Sequence, residues 1–174
     1  MSGFPALEFS RVIDPPWTHF EPVRLGRIPR GEPGAVCYVL VEDKSGPQIR
    51  IDLYGSSDEL YIFREVCRWS RFVAIGWGHH LYLVEVETRQ VSNFDLSCYF
   101  CQMHCGEETL IVASAERLWC LASNGSLIWT SDELGIDGVR IDRVEIDVVY
   151  GEGEWDPPGG WRPFRVNTAT GQVL

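Results

Sequence analysis

The chain has 174 residues, an apolar fraction of 45% and a net charge of −10. That length suits one domain, or one domain with an elaborated edge, and the apolar content excludes general disorder. The acidic balance argues against a nucleic-acid partner, whose backbone is gripped by Lys and Arg. No run approaches the roughly 18 apolar residues of a membrane helix.

Met1-Ser-Gly-Phe-Pro-Ala-Leu-Glu-Phe9 has neither a basic start nor an apolar stretch. No secretory signal is expected from it, and a cytoplasmic location follows by default. In that compartment the six Cys are expected to be mostly reduced. Residues 1–59 read as a divergent N-terminal β unit or extension. A strand is expected at Ala6–Ile13, followed by a Pro- and Gly-rich stretch from Asp14 to Gly34. Pro15, Pro16, Pro22, Pro29 and Pro33 deny that stretch a regular ladder, and it suits the role of a cover over exposed strands. Val36–Glu42 and Gln48–Tyr54, joined by Asp43-Lys-Ser-Gly46, read as a β-hairpin.

Residues 60–174 read as three units of four short strands, about 60–96, 97–134 and 135–174. The first is expected to hold Leu60–Cys67, Phe72–Gly76, Leu81–Glu87 and Val91–Leu96. The second holds Cys98–His104, Thr109–Ala113, Arg117–Ala122 and Ser126–Trp129, with Ser123-Asn-Gly125 as a tight turn. Ser131-Asp-Glu-Leu134 is expected to form one helical turn between units. The third unit holds Val139–Ile146, Val148–Glu152, Pro163–Asn167 and Gln172–Leu174. No stretch keeps a 3.6-residue apolar period.

Phe72–Gly76, Leu110–Ser114 and Val148–Glu152 fall into one register, with Val73, Ile111 and Val149 spaced by 38 residues (111 − 73 and 149 − 111). Repeats of roughly this length, about 20–50 residues, mark stacked or radial architectures, because one unit cannot bury its apolar face alone. The fold class is therefore all-β: a propeller-like repeat of four-stranded antiparallel sheets, with three clear units and a divergent first one.

The phrase Arg117-Leu-Trp-Cys-Leu-Ala-Ser-Asn-Gly-Ser-Leu-Ile-Trp129 resembles the blade motif of pyrroloquinoline-quinone-type β-propeller repeats. Pro163-Phe-Arg-Val-Asn-Thr-Ala-Thr-Gly171 carries the same strand, turn and Gly, whereas Glu87-Thr-Arg-Gln90 lacks the Gly. Gly135–Val139 followed by Gly151–Trp161 looks like small bacterial β-repeat proteins whose activity is not established. These resemblances imply a bacterial source and a propeller-like shape. They imply no activity and no cofactor, because function resides in a site and not in a fold.

Cys98-Tyr-Phe-Cys-Gln-Met-His-Cys105 gathers three thiols and an imidazole, the residue types of a zinc site. On a regular strand, however, Cys101, Met103 and Cys105 share one face while Cys98 and His104 share the other. No metal is expected, with Cys98, Cys101, His104 and Cys105 as the residues to check. His79 and His80 read as exposed turn residues.

The loop Glu152-Gly-Glu154-Trp155-Asp156-Pro-Pro-Gly-Gly-Trp161 combines three carboxylates with two Trp. Loops held by a rigid scaffold concentrate binding residues, and Trp is frequent at binding hot spots. Glu152, Glu154, Trp155, Asp156 and Trp161 are accordingly the candidate ligand- or partner-binding residues, and no catalytic residue is assigned. The favoured reading is a non-catalytic protein-binding module, of which an immunity-type protein against a basic toxin is one version. A small carbohydrate-binding or glycoside-hydrolysing protein using Glu152, Glu154 and Asp156 is an alternative. A structural subunit that completes a homo-oligomer through its open edge is another.

Overall fold

The computed structural model describes residues 7–28, 30–31, 34–55 and 63–174. The described residues form an all-β structure, with four sheets and, among these residues, only a 3-10 turn at Pro15–Trp17 beside them. No helix among the described residues is long and apolar enough to cross a membrane.

The first sheet contains β1 (Phe9–Ser10), β2 (Val23–Gly26), β3 (Cys37–Asp43) and β4 (Gly46–Tyr54), in the order β1-β3-β4-β2. The β3–β4 hairpin turns where the sequence places it. Two expectations for this region need correction. Only Phe9–Ser10 of the first expected strand is in the sheet, and Ala6 lies outside the described residues. The Pro-rich stretch also supplies β2, which pairs parallel with β4 in the register Val23↔Ile51 and Leu25↔Leu53. Its four residues contain no Pro and occupy the sheet edge, so the surrounding prolines cost no ladder bond. Trp17 is buried and its carbonyl accepts from Arg50 Nη1 at 3.4 Å, over the face where Arg50 and Asp52 form a two-pronged pair.

The second sheet runs β5 (Arg64–Trp69), β6 (Phe72–Trp77), β7 (His80–Glu85) and β8 (Val91–Asp95) in sequence order. The third repeats this path with β9 (Phe100–Cys105), β10 (Thr109–Ser114), β11 (Leu118–Ala122) and β12 (Leu127–Thr130). The fourth has β13 (Val139–Val144), β14 (Val148–Glu154) and β15 (Trp161–Asn167). Its expected last strand is reduced to one antiparallel bridge between Val166 and Val173. Residues 60–62 of the expected first strand of the second sheet lie outside the described residues. Ser131–Leu134 forms no helical turn. Its groups bind across the sheet instead: Ser131 Oγ accepts the Leu118 N–H at 2.9 Å, and the Leu134 N–H reaches Glu116 O at 2.7 Å. His80 opens β7, leaving His79 alone exposed in the turn.

Val73, Ile111 and Val149 occupy β6, β10 and β14, the second strands of their sheets, and all three are buried. Burial follows from how the sheets stack. One apolar cluster joins the first and second sheets (Ile51 and Leu53 against Ile75 and Trp77), and a second joins the second and third (Phe72 and Leu83 against Phe100 and Leu110). A third joins the third and fourth (Ile111 and Leu118 against Val149 and Phe164). Each interior sheet thus buries both faces, which explains why β6 and β10 read as continuous apolar runs.

Polar ties between sheets recur at the spacing of the repeat. Trp69 Nε1 donates to Gly106 O at 3.0 Å, 37 residues on, and Trp129 Nε1 donates to Thr168 O at 2.8 Å, 39 residues on. Each indole satisfies its one donor on the next unit while its ring fills the interface.

The turn without Gly obeys the same geometry as its relatives. Glu85 N–H binds Gln90 O and Arg89 N–H binds Glu85 O, as Asn167 N–H binds Gln172 O and Gly171 N–H binds Asn167 O. Arg89 sits at φ 60° where Gly171 sits at φ 73°. The left-handed region costs a non-Gly residue about 1 kcal/mol. Arg89→Gly is therefore expected to stabilise the protein by up to about 1 kcal/mol in urea denaturation; a loss of stability would show that the Arg side chain holds the turn.

Candidate functional site

In β14, Val149, Gly151 and Gly153 are buried while Glu152 and Glu154 alternate to the other face. Glu152 Oε2 accepts from Arg140 Nη2 at 2.7 Å, and the Arg140 guanidinium lies 5.5 Å from the Trp161 ring. Glu154 Oε1 accepts the Gly159 N–H at 2.7 Å. Together with Trp155 N–H to Gly160 O and Gly160 N–H to Asp156 O, both 3.0 Å, this bond closes the loop. Trp155 is half-buried with Arg162 5.8 Å from its ring, and Asp156 is exposed near the tip. The five predicted residues are therefore not one cluster. Glu152 is engaged by Arg140, Trp155 and Asp156 belong to the loop, and only Glu154 and Trp161 turn into a cavity.

That cavity is a groove of about 510 Å³, lined by the strands that open the second, third and fourth sheets, by the segments leading into them, and by the end of β14 and the start of β15. Its aromatic groups are Phe63, Tyr99 and Trp161; Phe63 and Trp161 are 49% and 39% exposed, an unusual state for rings this large. Phe63 and Tyr99 stack with centroids 6.0 Å apart. Trp161 lies over Gly138, where a Cβ would come within 3.1 Å of its Cη2. Ionisable groups of the lining are Glu65, Asp137, Arg140 and Glu154, with Cys101 and Gln102 between them.

The walls are tied by their own polar groups. Glu65 of β5 accepts the Met103 N–H of β9 at 2.8 Å. Gln102 of β9 accepts the Ile141 N–H of β13 at 3.0 Å and donates to Ile141 O at 3.2 Å. The Tyr99 hydroxyl donates to the Asp137 main chain and lies 3.1 Å from Asp137 Oδ1. Burial pushes the Glu65 carboxyl above the usual carboxylate range, opposed by its bond from Met103. The Tyr99 phenol is pushed well above its ordinary value, first by burial and then by the nearby thiol of Cys101 and by Asp137.

Sequence reasoning missed Phe63, Glu65, Tyr99, Asp137 and Arg140. A signal was available: Glu65, Gln102 and Arg140 are polar residues on β5, β9 and β13, the equivalent first strands of three units.

The cysteine cluster is dispersed. Ala113 pairs with Gln102 but Ser114 with Phe100, so Cys101 is an extra residue in β9 and the side chains on either side of it change face. Phe100 and Met103 both enter the cluster between the second and third sheets, while Cys101 packs towards the fourth. The expected common face for Cys101, Met103 and Cys105 is therefore wrong. Cys105 is joined to Cys67 of β5 by a disulfide, which removes it from any ligand set. Cys37, Cys98, Cys101 and Cys120 are free. Burial raises the Cys101 thiol to about 11 and raises that of Cys98, so both remain protonated at neutral pH, the form that neither ligates metal nor attacks. His104 is exposed on β9, and the described residues contain no group of three or more His, Cys, Asp or Glu placed to hold a metal ion. No family model matches the chain, and no curated protein matches it.

Proposed function

We infer that the protein is a non-catalytic bacterial binding module, with sheets disposed like propeller blades, that holds a basic protein partner in the groove lined by Phe63, Tyr99 and Trp161. The observation that carries this reading is the convergence of Phe63, Tyr99 and Trp161, from three consecutive sheets, on one cavity of about 510 Å³. Exposed rings around a concave site are the anchors on which protein recognition concentrates. A net charge of −10 favours a basic partner and accelerates its approach. Neutralisation of a basic toxin is one role that this chemistry suits.

The engagement of Glu152 by Arg140 and of Glu154 by the loop backbone favours binding over hydrolysis, since it leaves these acids fixed by structural partners. Capture of partners by the immobilised protein, at low and at high salt, tests the reading. A partner held by the wild type at low salt, released at high salt and lost in the Tyr99→Ala/Trp161→Ala double variant is expected. A catch that is unchanged in the double variant would sink it.

A further inference from the structure

Three carboxylates, those of Glu65, Asp137 and Glu154, line the groove. Glu65 Oε2 is fixed by the Met103 N–H and Glu154 Oε1 by the Gly159 N–H, while Asp137 Oδ1 lies 3.1 Å from the Tyr99 hydroxyl, whose one hydrogen goes to the Asp137 main chain. The second oxygen of each receives no hydrogen bond among the described residues, and none of the three groups is in an ion pair. Arg140, the cation of the lining, is already held by Glu152 at 2.7 Å and Asp142 at 3.2 Å. The groove therefore presents oriented, uncompensated acceptors beside flat aromatic rings.

We propose that the groove is a receptor for an arginine side chain on the partner protein, whose guanidinium is held by Glu65, Asp137 and Glu154 against Tyr99 and Trp161. This rests on the reading of the groove as the partner site and names the chemistry it selects. A guanidinium carries five N–H donors in one plane, so it can serve several fixed acceptors while stacking on a ring. An ammonium is a compact, strongly hydrated charge that satisfies the acceptors but gains less from the rings. Glu65 adds a second reason: its half-buried carboxylate is ionised at a cost that a cation from the partner would offset.

The test uses short Gly/Ser peptides with one central Arg, Lys, citrulline or norleucine, titrated against the full chain by Trp fluorescence and calorimetry. The Arg peptide is expected to bind most tightly. Citrulline, which keeps the shape and loses the charge, should be weaker by about tenfold or more. Glu65→Gln and Glu154→Gln should each weaken the Arg peptide by about tenfold. Glu65→Gln should leave the melting temperature unchanged or higher, since its amide oxygen still accepts from Met103 and no buried charge remains; that separates binding from folding. Equal binding of the Arg peptide and the Lys, citrulline or norleucine peptide, or no saturable binding of the Arg peptide, overturns the assignment. Those outcomes leave the groove as a partner site intact, whereas partner capture that survives loss of Tyr99 and Trp161 overturns the functional reading itself.

Discussion

Phe100→Ala is expected to destabilise the protein by about 4 kcal/mol, read as a lower denaturation midpoint in urea at an unchanged slope. Phe100 is 1% exposed and lies in the cluster between the second and third sheets. Its ring fills the space that Gly76 leaves open: a Cβ on Gly76 would come within 2.2 Å of Phe100 Cε2. Leu81, Leu83 and Leu96 of the same cluster belong to the strands and turn opposite, so the neighbourhood is two sheets that cannot both collapse inward. Truncation then leaves a cavity in addition to the lost transfer energy. The backbone is committed as well, since the Phe100 N–H donates to Gly78 O at 2.7 Å and holds β9 beside the β6–β7 turn. Gly76→Ala alone is expected to cost about 1–3 kcal/mol by overpacking, yet to cost much less in the Phe100→Ala background, where the ring is gone. Simple additivity of the two changes would show that ring and glycine do not meet.

The second large effect concerns Cys67 and Cys105. Their disulfide ties β5 to β9 across 38 residues, one repeat length. A cross-link that closes a loop of this size restricts the unfolded chain and is worth about 4 kcal/mol by chain entropy. Cys67→Ala/Cys105→Ala is expected to lose about that amount relative to the oxidised protein, with no difference from wild type once both are reduced. Thiol counting on the unreduced, unfolded chain should find four free groups, matching Cys37, Cys98, Cys101 and Cys120. Six free groups would remove the cross-link and the stability assigned to it. Cys105 is exposed, so a reductant has direct access to this bridge, whereas the free thiols of Cys37 and Cys120 lie in the core.

Much of the architecture is a local property of the chain. Strand positions in the last three sheets follow from runs of apolar residues, because β6 and β10 are covered on both faces and admit little else. Turns follow from residues that accept the required backbone: Gly125 at φ 87° and Gly171 at φ 73°. Arg89 warns that the turn geometry can persist without its usual residue, because ladder bonds on either side enforce it. Where a feature depends on a distant partner, the chain is silent. Nothing in Val23–Gly26 indicates that it lies parallel to β4, and nothing between Cys98 and Cys105 marks Cys101 as an extra residue. That one insertion turns Cys101 to the face opposite Met103, and the apparent metal motif becomes one disulfide and two separate, half-buried thiols.

By itself, the sequence determined that this is a repeat of short β-strands, where most of them begin and end, and that an acidic, Trp-bearing loop follows β14. Alternation, turn chemistry and a 38-residue spacing act within a unit, so they are written in consecutive residues. Only the tertiary structure decided which of those residues share a site. Phe63, Tyr99 and Trp161 are far apart in the chain and meet because the sheets stack face to face, which brings the segments before β5 and β9 towards the start of β15. Pairing of β13 with β14 gave Glu152 to Arg140, and the stacking left Glu154 in one groove with Glu65 and Asp137. Such convergence depends on how one unit is set upon the next, a relation carried by the buried faces jointly and by no single stretch of sequence.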